Sequence, residues 1–436
     1  MEITAKSIVE KLKKKGHQAY FAGGSVRDIL LGIKPKDIDI ATSALPHEIE
    51  TIFDKTVPIG KKFGVILVIE NDHQYEIATF RSDSGYSDGR RPDAIKFSYA
   101  HMDAMRRDFT INGLFYDPVK DQVIDFVRGE RDLKAKLVRF IGNPEDRILE
   151  DHLRLIRAVR FRNQFDFQYH PDTYQAIKKH TKLIKEKVSM ERIRDELNKM
   201  ILDQTNPSMS FEDMSHLGLL ELIIPELEKM RGCPQPYQYH QEGDVWEHTM
   251  RALDALPPNS SLTSRWATLF HDIGKPETFQ LKERIRFDSH AQLSARLAKR
   301  ILKRLSFSKK FIDNVCWCVE HHMMMVPLVE MNKGRQLHWF LNPEFPNLLQ
   351  LMEADAKGTV PSDLSLYQKI KRLYLNAVRK NKSIPDPLLD GHEIMKILNI
   401  EPSQKITEIK AKLVELQIER KIKTKKQAII WLKSNF

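Results

Sequence analysis

Apolar and polar positions fall into two textures along the chain. Up to about residue 145, short apolar runs alternate with polar ones. VPIGKKFGVILVIE and QYEIATFRSD repeat every second residue and are rich in β-branched side chains, which predicts strands. MEITAKSIVEKLKKKG has the spacing of an amphipathic helix, and SALPHEIETIF predicts another, with Ser43 as its cap. SDSGYSDGRRPDAIKF is rich in Ser, Asp, Gly and Arg and predicts a loop. From about residue 146 the period becomes helical. NPEDRILEDHLRLIRAVRFRNQF, PDTYQAIKKHTKLIKEK, SMERIRDELNKMILD and SFEDMSHLGLLELIIPELEKM predict successive helices. Helical texture then runs to the C-terminus, broken at Ile384-Pro385-Asp386-Pro387. The expected class is α+β, a mixed β-sheet with helices followed by all-helical regions.

One stretch organises the first part, YFAGGSVRDILLGIKPKDIDIAT over residues 20–42. Gly23 and Gly24 let the backbone approach a phosphate, and the helix that follows presents free N–H groups to it. Arg27 adds a fork of donors that fits phosphate oxygens. In an extended segment Asp37 and Asp39 point to the same side, with Ile38 and Ile40 facing the core. Two converging carboxylates beside a phosphate cradle suit two-Mg²⁺ phosphoryl transfer.

In this order and spacing, these residues resemble the nucleotidyltransferases of the DNA polymerase beta superfamily. The closest pattern is the class II group of CCA-adding enzymes and bacterial poly(A) polymerases. The resemblance implies that Asp37 and Asp39 hold catalytic Mg²⁺, with Glu76 as a third acid. It implies a triphosphate cradle at Gly23, Gly24, Ser25 and Arg27. RRDFTING at residues 106–113 is similar to a further family motif. By that likeness Arg107 contacts the triphosphate, while Asp108 and Asn112 bind ribose or brace the site. Gly113 stands where alanine is usual.

In NPEDRILEDHLRLIRAVRF, Asn143 before Pro144 marks a helix start. Asp151, Arg154, Arg157 and Arg160 recur every third residue along one side of the predicted helix, with Leu149, Leu153, Ile156 and Val159 as the buried stripe. One reading is an ion-paired, solvated face. The other is a template made of protein: Asp151 accepts from the exocyclic amino group of cytosine or adenine, and Arg154 donates to the adjacent ring nitrogen. The run is similar to the family's EDPLRxLRAxRF, with His152 in place of proline at no expected cost in a helix.

Further on, His248, His271-Asp272 and Asp355 follow the order of the HD metal-dependent phosphohydrolases, which the segment LFHDIGKP resembles. That likeness implies a divalent transition metal on these four, with His290 and His321 available for a second ion or a phosphate. The chain is thus expected to comprise a nucleotidyltransferase head (1–145), a helical neck (146–225), an HD-type domain (226–365) and a helical tail (366–436).

Composition narrows the partners. A net charge of +11 over 436 residues favours a polyanion. Arg420, Lys421, Lys423, Lys425 and Lys426 form a basic cluster in the tail, either a solubilising surface or a contact for tRNA phosphates. No apolar run reaches membrane-spanning length, and the N-terminus lacks the apolar core of a signal peptide. Cys316 and Cys318 do not face each other on a helix, so with Cys233 they are read as reduced core thiols of a cytoplasmic protein. The resulting expectation is a template-independent enzyme that adds C, C and A to tRNA from CTP and ATP. The alternatives are A-only, CC-only or poly(A) addition on the same fold, an HD phosphohydrolase acting on RNA ends or nucleotides, and a non-catalytic RNA-binding protein. Oligomeric state is not legible.

Overall fold

The computed structural model describes residues 1–85, 93–203, 206–380, 383, 385–419 and 421–436. Two compact units divide between Pro225 and Glu226.

The first unit is built on a seven-stranded sheet. Its strands are β1 (Ala19–Ala22), β2 (Asp39–Thr42), β3 (Thr56–Gly60), β4 (Val65–Glu70), β5 (His73–Thr79), β8 (Leu114–Asp117) and β9 (Gln122–Asp125); β6 (Arg81–Ser84) and β7 (Ala94–Phe97) pair separately. The order is β3-β4-β5-β2-β1-β8-β9, and β2 runs parallel to β5 while the other neighbours are antiparallel. Alternation along the strands explains the layering. Ile38, Ile40, Ile66, Val68 and Ile77 face one side, where the helix Glu2–Lys14 buries Ala5, Ile8, Val9 and Leu12 against them. Ala22, Ala41, Phe80 and Phe115 face the other side, under the helix Ala100–Met105.

Register then fixes the acids. Ile40 stands opposite Ile77. Asp39 and Glu76 each precede that pair by one residue, so they share the opposite face at the open end of the sheet.

Several expectations are corrected. Ser43 does not cap the helix Pro46–Ile52: Leu45 is the N-cap, its N–H donates to Glu48 Oε2 at 2.7 Å, and Ser43 Oγ accepts from the Gln18 N–H at 2.9 Å. Of the loop predicted at 82–97, residues 86–92 lie outside those described, and the flanks form the β6–β7 ladder. The helix predicted across 144–164 is two helices, Pro144–Glu150 and Arg154–Gln164, with Asp151 extended between them. The break has identifiable causes. The Asp151 carboxylate accepts the Leu153 N–H at 3.1 Å, and Arg154 Nη1 takes the Arg147 carbonyl at 2.8 Å that a continuing helix would have paired with Asp151. His152 is buried in this turn, where its Nδ1 meets the Leu183 carbonyl at 3.0 Å. Leu149, on the short first helix, is 49% exposed, so the buried stripe begins at Leu153.

The second unit, Glu226–Phe436, is helical apart from one small hairpin, Phe279–Leu281 with Ile285–Phe287, that the helical pattern did not predict. Its core packs Val245–Asp254, Leu262–Phe270, His290–Arg304, Lys309–Glu320 and Phe345–Gly358. The last helices, Gly391–Leu398, Gln404–Ile418 and Lys425–Asn435, close a separate core around Ile394, Leu413, Ala428 and Leu432. Arg420 of the basic cluster lies outside the described residues; Lys421 and Lys425 pair with Glu419 and Glu393. The cysteines are free thiols, with Cys233 and Cys318 buried. Among the described residues, no helix is long and apolar enough to cross a membrane.

The helix Glu2–Lys14 offers a matched test. Ile8 is fully buried and Ile3 is 87% exposed. Ile8→Ala is expected to cost about 2–5 kcal/mol in urea unfolding of the first unit, and Ile3→Ala to stay within about 0.5 kcal/mol.

Candidate functional site

A cavity of about 880 Å³ opens in the first unit, with Asp37 and Asp39 on an acidic wall facing guanidinium groups. Gly23 turns the chain into it with φ +70°, and a Cβ there would sit 2.6 Å from Arg107 Nη1, so only glycine fits. Gly24 lines the cavity beside it. Ser25 does not: it is buried, and its hydroxyl donates to the Ala22 carbonyl at 3.1 Å, which braces the turn. The helix from Gly24 to Leu30 is only seven residues long, so charge for an anion comes mainly from Arg27 and Arg107.

Both guanidinium groups are held in place. Arg27 Nη1 donates to Asn112 Oδ1 at 2.7 Å, its Nε and Nη2 share Asp28 Oδ1, and its plane lies 4.5 Å from the Phe165 centroid. Burial pulls its pKa down, opposed by Asp28. Arg107 is fixed by Asp103, which accepts from Nη2 at 3.0 Å and also holds Arg106 at 2.7 Å. Asp103 is almost fully buried, and burial pushes its pKa up less than the two arginines push it down.

Asp108 accepts from Arg157 Nε and Nη2 at 2.9 and 2.6 Å, from Asn112 Nδ2 at 3.0 Å and from the Phe109 N–H at 2.8 Å. Burial opposes its charge, but Arg157 and these bonds hold it well below the usual carboxylate range. Arg160 Nε donates to Glu196 at 2.6 Å, and Glu196 also lies 3.6 Å from Arg157. Arg157 and Arg160 therefore line the cavity while bracing it. Asp151 takes a two-pronged bond from Arg192 at 3.0 and 2.7 Å. Arg154 donates to Glu150 at 2.6 Å and to the Arg106 carbonyl at 3.2 Å. Both retain unused acceptor and donor capacity and both face the cavity. Asp151 lies off the helix, contrary to the spacing argument, yet the fold returns it to the three arginines.

Glu76 stands outside the cavity lining but close enough to act on Asp39. Desolvation first, then Asp37 and Glu76, push the Asp39 pKa up to about 6, against Arg107. Among the described residues these three acids do not draw within 4.8 Å of one another as the ligand sets of the second unit do, so a cation between them would relieve their repulsion at longer range. Asp103, Glu196 and Arg192 escaped the sequence reading, although the last two fall in the SMERIRDEL segment already assigned to the neck.

Among the described residues the second unit gathers three candidate ligand sets. His248, His271 and Asp355 form one, Asp272, His290 and His322 another, and His240 and Glu242 share His248 in a third. His248 Nε2 lies 2.9 Å from Asp355 Oδ1 and 3.3 Å from His271 Nε2; His290 Nε2 lies 3.2 Å from His322 Nε2. Asp272 joins the first two, with Oδ2 at 3.3 Å from His271 Nε2 and Oδ1 at 3.4 Å from His290 Nε2. His271 and Asp272 sit just past the helix Leu262–Phe270, not on it. The predicted second-ion ligand His321 is replaced by His322: His321 packs against Trp317 and Trp339, while His322 is buried in the cluster.

The donor chemistry fits a metal. Each imidazole has its Nδ1 committed to an oxygen, His248 to Glu242, His271 to the Thr268 carbonyl, His290 to the Phe287 carbonyl and His322 to the Val319 carbonyl. Every Nε2 is thereby left for the centre. Asp272 Oδ1 is buried without a hydrogen bond. Burial disfavours charge on His271, but Asp272 and Asp355 raise it to about 10; burial and His271 press His322 down to about 4.

Comparisons with known proteins agree with this layout. Residues 19–139 match the Poly A polymerase head domain, 166–230 a probable RNA and SrmB-binding site of polymerase A, and 244–356 the HD domain. The CCA-adding enzyme of Ligilactobacillus salivarius (strain UCC118) is 46% identical over 228 residues, 52% of this chain and 53% of that one. The CCA-adding enzyme of Limosilactobacillus reuteri (strain DSM 20016) is 43% identical over 246 residues, 55% and 60% of the two chains. The chain thus spans about half the length of the curated relatives it matches. Among solved structures, the Bacillus stearothermophilus CCA-adding enzyme in complex with CTP superposes with a TM-score of 0.74 at 24% identity, over 99% of this chain and 96% of that one. The Thermotoga maritima CCA-adding enzyme complexed with tRNA gives 0.57 at 21%, over 99% and 94%. These structural likenesses establish the fold.

The two adjacent histidines separate by experiment. After loading with Mn²⁺, His322→Ala is expected to lower the bound metal measured by elemental analysis, and His321→Ala to leave it at the wild-type level.

Proposed function

We propose, of a chain that belongs to the class II tRNA nucleotidyltransferase and bacterial poly(A) polymerase family and carries an HD domain, that it adds C, C and A in turn to the 3′ end of tRNA, consuming CTP and ATP and releasing pyrophosphate. The observation that carries this is the single cavity lined by Asp37 and Asp39, at the start of β2, together with Arg27, Arg107, Asp151 and Arg154. In this reading the chain works as head (1–145), neck (146–225), HD domain (226–365) and tail (366–436), in the cytoplasm where tRNA matures.

Asp37, Asp39 and Glu76 are the Mg²⁺ ligands, and two such ions would favour the 3′-alkoxide and neutralise the leaving pyrophosphate. Gly23 and Gly24 give the triphosphate room. Arg27 and Arg107 grip it as pre-set forks, so little side-chain freedom is lost on binding. Asp151 accepts from the exocyclic amino group of cytosine or adenine, and Arg154 donates to the ring nitrogen beside it. Uracil and guanine present the reverse pattern and would leave both unpaired, at about 1–3 kcal/mol each. Arg157, held by Asp108, and Arg160, held by Glu196, read and orient the base beside them. Lys423 and Lys426 of the tail supply shape-led, salt-sensitive contact to tRNA phosphates.

A second reading concerns the HD domain, a hydrolase of phosphate esters at RNA ends or nucleotides. The shared Asp272 with its unbonded, buried oxygen favours it. Divalent transition metals held there would supply a hydroxide nucleophile. The new P–O bond would form as the ester P–O bond breaks, the proton given up by the water going to the leaving alkoxide, while Lys275, Arg284 and Arg286 on the same cavity steady the phosphate.

Incubation with tRNA lacking CCA, CA or A, each nucleotide supplied alone, separates full CCA addition from A-only, CC-only or poly(A) synthesis. Asp37→Ala with Asp39→Ala is expected to abolish extension while His271→Ala with Asp272→Ala spares it; the reverse result would assign the main activity to the HD domain. Arg154→Ala is expected to erode the preference for CTP over UTP by about 10- to 100-fold in kcat/KM.

A pH dependence follows from Asp39. Its folded pKa, about 6, lies above its ordinary value, so the folded state resists its ionisation. Extension and Mg²⁺ affinity should fall as pH drops through about 6, where the ligand takes up a proton. The destabilisation by the ionised group is fully present above that pH and gone below the ordinary carboxylate range. Asp39→Asn should therefore raise the melting midpoint of the metal-free protein at neutral pH while removing activity, checked by calorimetry beside the extension assay.

A further inference from the structure

We propose that Tyr237 and Tyr239 are a base-stacking rim of the HD cavity, so that its ligand is a nucleoside phosphate ester and not a simple phosphate. This rests on the hydrolase reading of the HD domain and names the part of the ligand that the metal clusters do not explain.

The cavity holds about 800 Å³. Asp272, His290, His322 and Asp355 lie at its floor, and Lys275, Arg284 and Arg286 line its wall. That much would bind any phosphate. The rim adds something else. Tyr237 and Tyr239 line the same cavity and remain 74% and 62% exposed. Aromatic rings usually bury their large apolar faces. The turn that carries these two is tied down on both sides.

Within the turn, the N–H groups of Tyr239 and His240 donate to the Pro236 carbonyl at 3.0 and 3.1 Å. Just before it, buried Gln235 accepts from Lys275 Nζ at 2.8 Å, and Lys275 pairs with Asp272 Oδ2 at 2.6 Å. Just after it, His240 Nδ1 lies 2.7 Å from Glu242, the carboxylate that also orients His248. Each flank of the turn thus ends on a residue of the metal clusters. The backbone that presents the tyrosines is held by the same bonds that shape the floor.

The hairpin Phe279–Leu281 with Ile285–Phe287 brings the cations. Arg286 pairs with Asp288 at 3.2 Å, and Arg284 has no ion pair among the described residues. Aromatic faces beside a cationic groove are how proteins hold nucleotides without reading their sequence. A phosphate without a base would use the floor and the wall and leave the rim idle. A free nucleotide and the 3′ end of an RNA strand offer the same chemistry.

The test uses the full-length protein. 2-Aminopurine riboside 5′-monophosphate, and a trinucleotide ending in phosphorylated 2-aminopurine riboside, report stacking by loss of fluorescence. With metal-free protein, Tyr237→Ala with Tyr239→Ala should weaken the quenching titration by about tenfold or more, while Tyr237→Phe with Tyr239→Phe retains it. Any binding in the head is common to all variants, so the difference belongs to the rim. In Mn²⁺-loaded protein the alanine pair should raise KM for the nucleotide and leave hydrolysis of glycerol 2-phosphate within about twofold, since that ester has no ring to stack and needs only floor and wall. Tighter binding of the trinucleotide would assign the rim to a strand end, and equal binding to a free nucleotide; both support it. Unchanged quenching in the alanine pair overturns the proposal, as does hydrolysis of glycerol 2-phosphate by a wild type that quenches neither probe. A wild type that binds no Mn²⁺ and hydrolyses no ester instead overturns the hydrolase reading, and this proposal with it.

Discussion

The parallel pairing of β2 with β5 is the constraint on which the first unit turns. Ile40 opposite Ile77 buries one row of side chains and leaves the preceding row, Asp39 and Glu76, at the open end of the other face. A slip of one residue would put the acids into the apolar core and the isoleucines into the cavity. Burial of apolar surface therefore sets the position of the carboxylates, and no bond to the carboxylates themselves is needed. The cost appears at Asp39, whose pKa rises to about 6 because its place in that register desolvates it first and then sets it near the like charges of Asp37 and Glu76.

Opposite that acidic row the fold does the reverse, spending buried acids to hold cations still. Asp103 fixes Arg106 and Arg107, Asp108 fixes Arg157, and Glu196 fixes Arg160. Such buried pairs add little net stability, since desolvation offsets most of their attraction. What they confer is orientation. A guanidinium already clamped on one edge presents the other edge to a ligand with few rotamers left to lose. Arg27 shows the same logic with aromatic rings as the clamp, lying between its Asp28 and Asn112 bonds and the face of Phe165.

Much of this was legible in the sequence, because local chemistry sets local geometry. Asp39 falls on the face that alternation gave it, with Asp37 in the bend just before the strand; Gly23 takes the left-handed backbone its position demands; and His248, His271, Asp272 and Asp355, read from their order, meet in one cluster. What escaped reading was set by long-range packing. Asp103 looks like any helical aspartate until burial makes it a clamp. Arg192 gives no signal that it will meet Asp151 from another helix. The break at Asp151 was hidden because the apolar spacing runs through it, and only the captured carboxylate ends the first helix. The choice between His321 and His322 turned on one residue. The helix Lys309–Glu320 ends immediately before them, and a single step there rotates a side chain by about 100°. Periodicity cannot resolve the last turn of a helix, where the bonding pattern changes.

The two acidic centres differ in a way that bears on how each handles a metal. In the first unit Asp37, Asp39 and Glu76 are solvent-exposed, and Arg107 only partly offsets the burial and like charge that raise Asp39. In the second unit the acids are neutralised from within. Burial opposes charge on Glu242, yet bonds from His248 and His240 bring it down to about 2, and His271 is held charged against burial by Asp272 and Asp355. A cation entering the first centre would meet open carboxylates and relieve their repulsion. A cation entering the second would have to displace the charge that Asp272 and Asp355 hold on His271, among imidazoles whose Nδ1 atoms are already fixed. The arrangement therefore suits loose, exchangeable binding of a cation in the first unit and tight, slow binding in the second.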